Sequence, residues 1–134
     1  MQSETIFRVD DSHVDRLNHL NHVESARLIE LGRSEWLRKC GLYRETDVTV
    51  RDSIQQYGSV VVNLNYNYLE ECLVGDDIRI ITAPEWLGNK SYRLKHQIVK
   101  SNGVIALDGN VTSVIMDLGT REIIAVPHCI AQHF

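Results

Sequence analysis

Hydrophobic and polar positions along this chain follow two periods, and the change from one to the other divides it. Between residues 23 and 40 apolar residues recur at helical spacing. Wound at about 100° per residue, Val23, Ala26, Ile29, Trp36, Leu37 and Cys40 share one arc, with Glu24, Arg27, Glu35, Arg38 and Lys39 opposite. Asn21 is placed to cap the start, with Glu24 three residues on as in a capping box. Gly41 follows the basic Arg38 and Lys39, where a left-handed residue stops a helix and its dipole favours cations. Glu30 and Arg33 break the dry arc. Their spacing predicts either a mutually neutralising pair at a helix–sheet or subunit contact or a Glu30 that faces a site.

From Ser59 the period is two. Val60, Val62, Leu64, Tyr66 and Tyr68 take one face, and Asn63, Asn65 and Asn67 the other. Gly75-Asp76-Asp77 turns the chain into a strand from Ile78 to Trp86, which Pro84 marks with a bulge or an edge position. After a turn at Gly88-Asn89, Tyr92, Leu94, His96 and Ile98 alternate with Arg93, Lys95 and Gln97, and Asn102-Gly103 signals a hairpin. Val104 to Met116 forms the next strand, with an irregularity at Asp108-Gly109. Asp117 to Thr120 then turns into a last strand, Arg121 to Val126, closed by Pro127. A first strand over residues 5 to 10 precedes the helix. Residues 43 to 58 are polar and without clear period, a connection that reads as a mobile cover with a short helical turn from Asp52 to Gln56.

Strand, long helix, then four or five strands joined by tight turns predict an α+β layer architecture, an antiparallel sheet covered by one helix. No linker, repeat or low-complexity tract divides residues 1–134, so a single domain is expected. One helix cannot shield both faces of so long a sheet, and the spare edge and face predict pairing with a second copy.

Composition narrows the function classes. A chain of 134 residues that is 43% hydrophobic and 24% charged folds without staples. A net charge of -4 argues against nucleic acid, whose binding runs on positive charge. No apolar run reaches the roughly 20 residues that span a bilayer, and the start lacks a basic segment followed by an apolar one, so the expected location is the cytoplasm. Cys40, Cys72 and Cys129 are far apart and odd in number, which suits idle thiols better than a disulfide framework or a zinc ribbon. His13, Asp15, His19 and His22 match no standard zinc spacing, so neither a metal nor a cofactor is expected.

The candidate chemistry lies where the chain enters the helix. The first amides of a helix have no internal partner and carry the positive end of its dipole, so an oxyanion can rest there. Asp15 is in the entering loop, with His19, Asn21 and His22 around it. A carboxylate, imidazoles and a carboxamide beside a helix N-terminus are parts expected of acyl-transfer hydrolysis.

The ordered motifs Asp15-Arg16-Leu17-Asn18-His19-Leu20-Asn21-His22 and Glu30-Leu31-Gly32-Arg33-Ser34-Glu35-Trp36-Leu37, with Tyr68-Leu69, Leu73-Val74-Gly75-Asp76, Lys90-Ser91 and Met116-Asp117 further on, carry a resemblance. The chain resembles the hot-dog-fold thioesterases, specifically the 4-hydroxybenzoyl-CoA thioesterase-like acyl-CoA group, over nearly its whole length. The resemblance implies a sheet of about five or six antiparallel strands wrapped around one long central helix, with active sites at the interface of a homodimer or a tetramer. It implies Asp15 as the carboxylate that acts as general base or nucleophile and the amide of His22, helped by Asn21, as the group that polarises the thioester carbonyl, with His19 either assisting catalysis or holding the loop by hydrogen bonds. Lys90 and Arg93, with Lys95 nearby, are the candidates for CoA phosphates. Against the family's pattern, Asn18 replaces a loop glycine, His22 replaces a second asparagine and Ser25 stands where a tyrosine is common. An Asp, His, Asn trio also recurs in the related acyl-ACP thioesterases, so a carrier-protein thioester is an alternative substrate, and a non-catalytic acyl-binding role an alternative function.

Overall fold

The computed structural model describes residues 1–42 and 56–134. In chain order these form β1 (Ser3–Arg8), a 3-10 turn (Asp11–His13), α1 (His22–Cys40), β2 (Tyr57–Tyr68), β3 (Asp77–Leu87), β4 (Ser91–Lys100), β5 (Ile105–Asp117), β6 (Ile123–Ile124) and α2 (His128–Ala131). The strands make one antiparallel sheet in the order β1-β3-β4-β5-β2, with the short β6 paired to β5. The expected α+β hot-dog architecture is therefore what the chain adopts. Most of the expected cover lies outside the described residues, and Tyr57 and Gly58 already belong to β2. Among the described residues no helix is long and apolar enough to cross a membrane.

The ends of α1 are set as its sequence predicts. Asn21 stays extended and its side chain accepts the N–H of Val23 at 2.8 Å, while Gly41 closes the helix at φ 86°. Glu24 does not complete a capping box; its carboxylate takes the guanidinium of Arg27 at 2.9 Å. The buried stripe is rotated from the expected one: Ser25, Leu28, Ile29, Gly32, Arg33, Trp36, Leu37 and Cys40 face inward, and Val23 is 62% exposed. Glu30 and Arg33 do pair, through two bonds of 2.6 and 2.9 Å, and Arg33 also reaches Ser59.

The helix packs on β1, β3 and β4. Beneath its N-terminal half lie Ile78, Ile80, Ile98, Leu107 and Val111; beneath its C-terminal half, Tyr92, Leu94, Ile115 and Ile130. Arg33, Thr82 and His96 form a buried polar layer between the two clusters, with Thr82 opposite His96 across β3 and β4; a fourth buried polar residue, Ser113, lies further along β5, opposite Tyr92. The helix α2, which the periodicity does not announce, supplies Ile130 to the second cluster.

Three sheet irregularities alter the expected faces. The register of β2 against β5 shifts between Val61 and Asn63. Val60 therefore opposes Val114, and Leu64, Tyr66 and Tyr68 oppose Val111, Gly109 and Leu107 on the helix side, so Val60 is parted from the group in which simple alternation puts it. Pro84 sits at a bulge in β3, past the end of its pairing with β1, where its missing N–H breaks no ladder bond. The irregularity in β5 falls at Ala106, between the pairs Ile98–Leu107 and Val99–Ile105, rather than at Gly109. Gly109 answers a different need: a Cβ there would lie 2.2 Å from the carbonyl oxygen of Asn65.

Candidate active site

The loop between the 3-10 turn and α1 is folded by its own polar groups. Asp15 N–H donates to the carbonyl of His19, and Asn18 N–H to that of Asp15. One oxygen of the Asp15 carboxylate accepts the N–H of Leu17 at 2.9 Å, a side-chain turn of the kind aspartate favours. Asn18 takes φ 61°. Asparagine is among the few residues that adopt the left-handed region readily, so it serves where the resemblance leads one to expect glycine.

This loop is clamped to the segment that follows β2. Leu20 N–H donates to the carbonyl of Cys72 at 2.7 Å, and His19 bridges to Leu73. Leu69 and Glu70 both donate to the carbonyl of Ala106, at the β5 irregularity. The result is a cavity of about 340 Å³ whose lining includes Asp15, His19, His22, Tyr68, Glu70 and Glu71, with Leu20, Cys72, Ile98, Ala106 and Leu107 as its apolar part. Its mouth carries charge and hydrogen-bonding groups, and its floor is core.

Asp15, His19 and His22 thus meet in one cavity, as the sequence suggests. Asn21 does not join the lining; its side-chain oxygen caps α1 and its carbonyl accepts Ser25 N–H. That capping directs the first turn of α1 toward the cavity, and among the described residues no acceptor meets the N–H of His22. Tyr68 donates its hydroxyl to the carbonyl of His22 at 3.4 Å, closing one wall. His13 is tied up locally: its Nδ1 accepts the N–H of Asp10, and its ring meets the edge of Phe7.

Other polar residues lie in the lining without advance notice in the sequence. Glu71 places a carboxylate oxygen 3.2 Å from Nδ1 of His19, whose Nε2 is 3.4 Å from Asp15. Glu71 lies between two elements and belongs to no periodic pattern, so only the strand-end clamp reveals it. Cys72 borders the cavity, but burial pushes its thiol up, away from the thiolate that a nucleophile needs.

Lys90 and Arg93 are not brought to this cavity within one chain. Ser91 and Ile98 are seven residues apart on β4, roughly 23 Å at strand rise, so the basic pair occupies the opposite end of the strand. Lys90 is exposed in the turn before β4. Arg93 lies over the Trp86 ring, 5.4 Å from its centre, and donates to Thr112.

The sequence profile of the thioesterase-like superfamily matches residues 9–134. The long-chain acyl-CoA thioesterase FadM of Escherichia coli K12 is 25% identical over 124 residues, spanning 92% of this chain and 89% of its own. The protein SAV2348 of Staphylococcus aureus, solved in complex with CoA, superposes with a TM-score of 0.85 at 16% identity, over 99% of this chain and 81% of that one. YbaW, a probable thioesterase from Escherichia coli, gives a TM-score of 0.79 at 24% identity, covering 97% and 94% of the two chains. These structural likenesses share the hot-dog fold.

Proposed function

The chain belongs to the thioesterase-like superfamily, and from that premise we propose that it hydrolyses acyl-CoA thioesters in the cavity between the Asp15 loop and the start of α1. The observation that carries this reading is the convergence of a carboxylate and a helix N-terminus on one cavity with an apolar floor. The acyl group lies against Leu20, Ile98, Ala106 and Leu107. Its carbonyl oxygen points at the amide of His22, where the helix dipole and one unpartnered N–H stabilise the developing oxyanion; one such donor is worth about 3 to 4 kcal/mol of barrier. Asp15, steadied through one oxygen by Leu17, directs its other oxygen toward a water or toward the carbonyl carbon itself.

The partner is a second copy of the chain. Among the described residues β2 forms an edge of the sheet, with Val62, Leu64 and Tyr68 exposed. Such an edge is the natural seam of a homodimer, or of a tetramer built from two. Lys90 is offered to the phosphates of CoA, across a distance that the carrier's arm spans or that a second subunit shortens. Arg93, already engaged by Trp86 and Thr112, steadies that end of β4. Three unpaired cysteines among the described residues suit a reducing cytoplasm.

The test is steady-state hydrolysis of a panel of acyl-CoA esters with free thiol measured. Asp15→Asn is expected to lower kcat by about 100-fold or more, the range of a positioned acid–base group, with an unchanged unfolding midpoint. Turnover near wild type in that variant would remove Asp15 from the reaction.

A further inference from the structure

We propose that Glu71 is a positioning residue for this hydrolysis: it holds the His19 ring against Asp15 and passes the released proton outward. The inference rests on Asp15 as the reacting carboxylate. His19 presents one ring nitrogen to each acid, Nδ1 at 3.2 Å from Glu71 and Nε2 at 3.4 Å from Asp15. The hydrogen bond to Glu71 fixes the plane of the imidazole and leaves Nε2 directed at Asp15. Which nitrogen carries the proton is set by the partner of the other, so Glu71 governs what His19 offers to Asp15.

The placement of Glu71 is built, not incidental. Lys100 donates its ammonium to the Glu71 carbonyl at 3.1 Å and lies 3.6 Å from Asp76. The residues before Glu71 are tied to Ala106, and Cys72 after it is buried at 3% exposure and bonded to Leu20. The backbone on both sides of Glu71 is therefore fixed to β5 and to the site loop. The contact itself does little for folding, because the Glu71 side chain is 58% exposed and ion pairs so open to water contribute little. Its consequence is orientation.

Exposure rises from Asp15 and His19, at 30% each, to Glu71 at 58%, which gives the array a direction. Hydrolysis of a thioester by one water yields a carboxylate, a thiol and one proton at neutral pH. One hydrogen of the water ends on the sulfur as the C–S bond breaks, and the other must leave the site. Asp15 takes each in turn; the second passes to Nε2 of His19 while the Nδ1 proton moves to Glu71 and then to solvent. Atoms and charge balance with water as the sole co-reactant.

The experiment compares kcat and KM on one acyl-CoA for wild type, Glu71→Ala, Glu71→Gln, Asp15→Asn and the Asp15→Asn/Glu71→Ala double variant, with and without added formate. Both single Glu71 variants are expected to lose about 10-fold in kcat with KM held within about twofold. Formate should restore Glu71→Ala in proportion to its concentration, because a small carboxylate can occupy the exposed place. In the Asp15→Asn background the loss of Glu71 should cost nothing further, as residues that act as a unit are not additive. Wild-type kcat in the Glu71 variants overturns the proposal, as does a loss that formate leaves untouched. A wild-type protein inert toward every thioester would instead overturn the hydrolase reading, and the role of Glu71 with it.

Discussion

His96 sits where the protein is least able to solvate a charge. It is fully buried in the polar layer under α1, with Nδ1 on the hydroxyl of Thr82 at 3.0 Å and no hydrogen-bond partner for Nε2 among the described residues. Burial, and then the nearby guanidinium of Arg33 on α1, push its pKa down from 6.5 to about 4. Below pH 6.5 the unfolded chain takes up a proton that the folded chain refuses, so His96 withdraws stability as pH falls from about 6.5 to about 4, and no more below that. At pH 4.5 this amounts to about 2 to 3 kcal/mol. A His96→Gln variant is expected to remove that part of the acid sensitivity. Urea unfolding at pH 7 and pH 4.5 measures it: the difference between wild type and variant should move by that amount, and a constant difference would mean that His96 takes up its proton as readily in the fold as in the unfolded chain. Residues whose place comes from local chemistry were legible in the sequence, as Asn21, Gly41 and Asp15 are. Glu71 was not, because its partner His19 lies 52 residues away and their meeting depends on how the end of β2 is clamped.

At the scale of elements, periodicity located α1 and the strands β2 to β5 but could not give the rotation of the helix or the phase of β2. The buried stripe includes Gly32, which an amphipathic count passes over and which packs tightly against β3. A Cβ at Gly32 would lie 2.8 Å from Ile80 and 2.9 Å from the Thr82 hydroxyl. Two effects oppose each other in Gly32→Ala. Alanine gains about 1 kcal/mol over glycine inside a helix, while forcing a methyl into a filled contact costs about 1 to 3 kcal/mol. Ile80 is buried and branched, and Thr82 is held by His96, so neither can move aside cheaply. The contact should win, and the variant should unfold at lower urea by about 1 kcal/mol; equal or greater stability would show that α1 can lift from the sheet. The phase of β2 was hidden for a similar reason: one extra residue at Val62 changes which side chains face the helix, and nothing in a run of valines announces a bulge.

For the molecule as a whole, the question is what covers β2. The helix lies over the β1–β3–β4 side of the sheet, leaving Leu64 at 55% and Tyr68 at 54% exposure on the inner face. On α1, Val23 at 62% and Leu31 at 48% add apolar surface. Among the described residues β2 is an edge strand beside apolar side chains, an arrangement that proteins ordinarily cover. A second copy placed edge to edge would extend the sheet and pair the two edges symmetrically. Sedimentation equilibrium should therefore give twice the 15.3 kDa chain mass. Leu64→Glu, which sets two carboxylates against the seam at a position already 55% exposed, should shift the protein to monomer. Its effect on turnover then locates the substrate. If the carrier is held across two subunits, KM for acyl-CoA rises with dissociation; if monomer and dimer turn over alike, each cavity works alone, and any contact of Lys90 with CoA must come from its own chain.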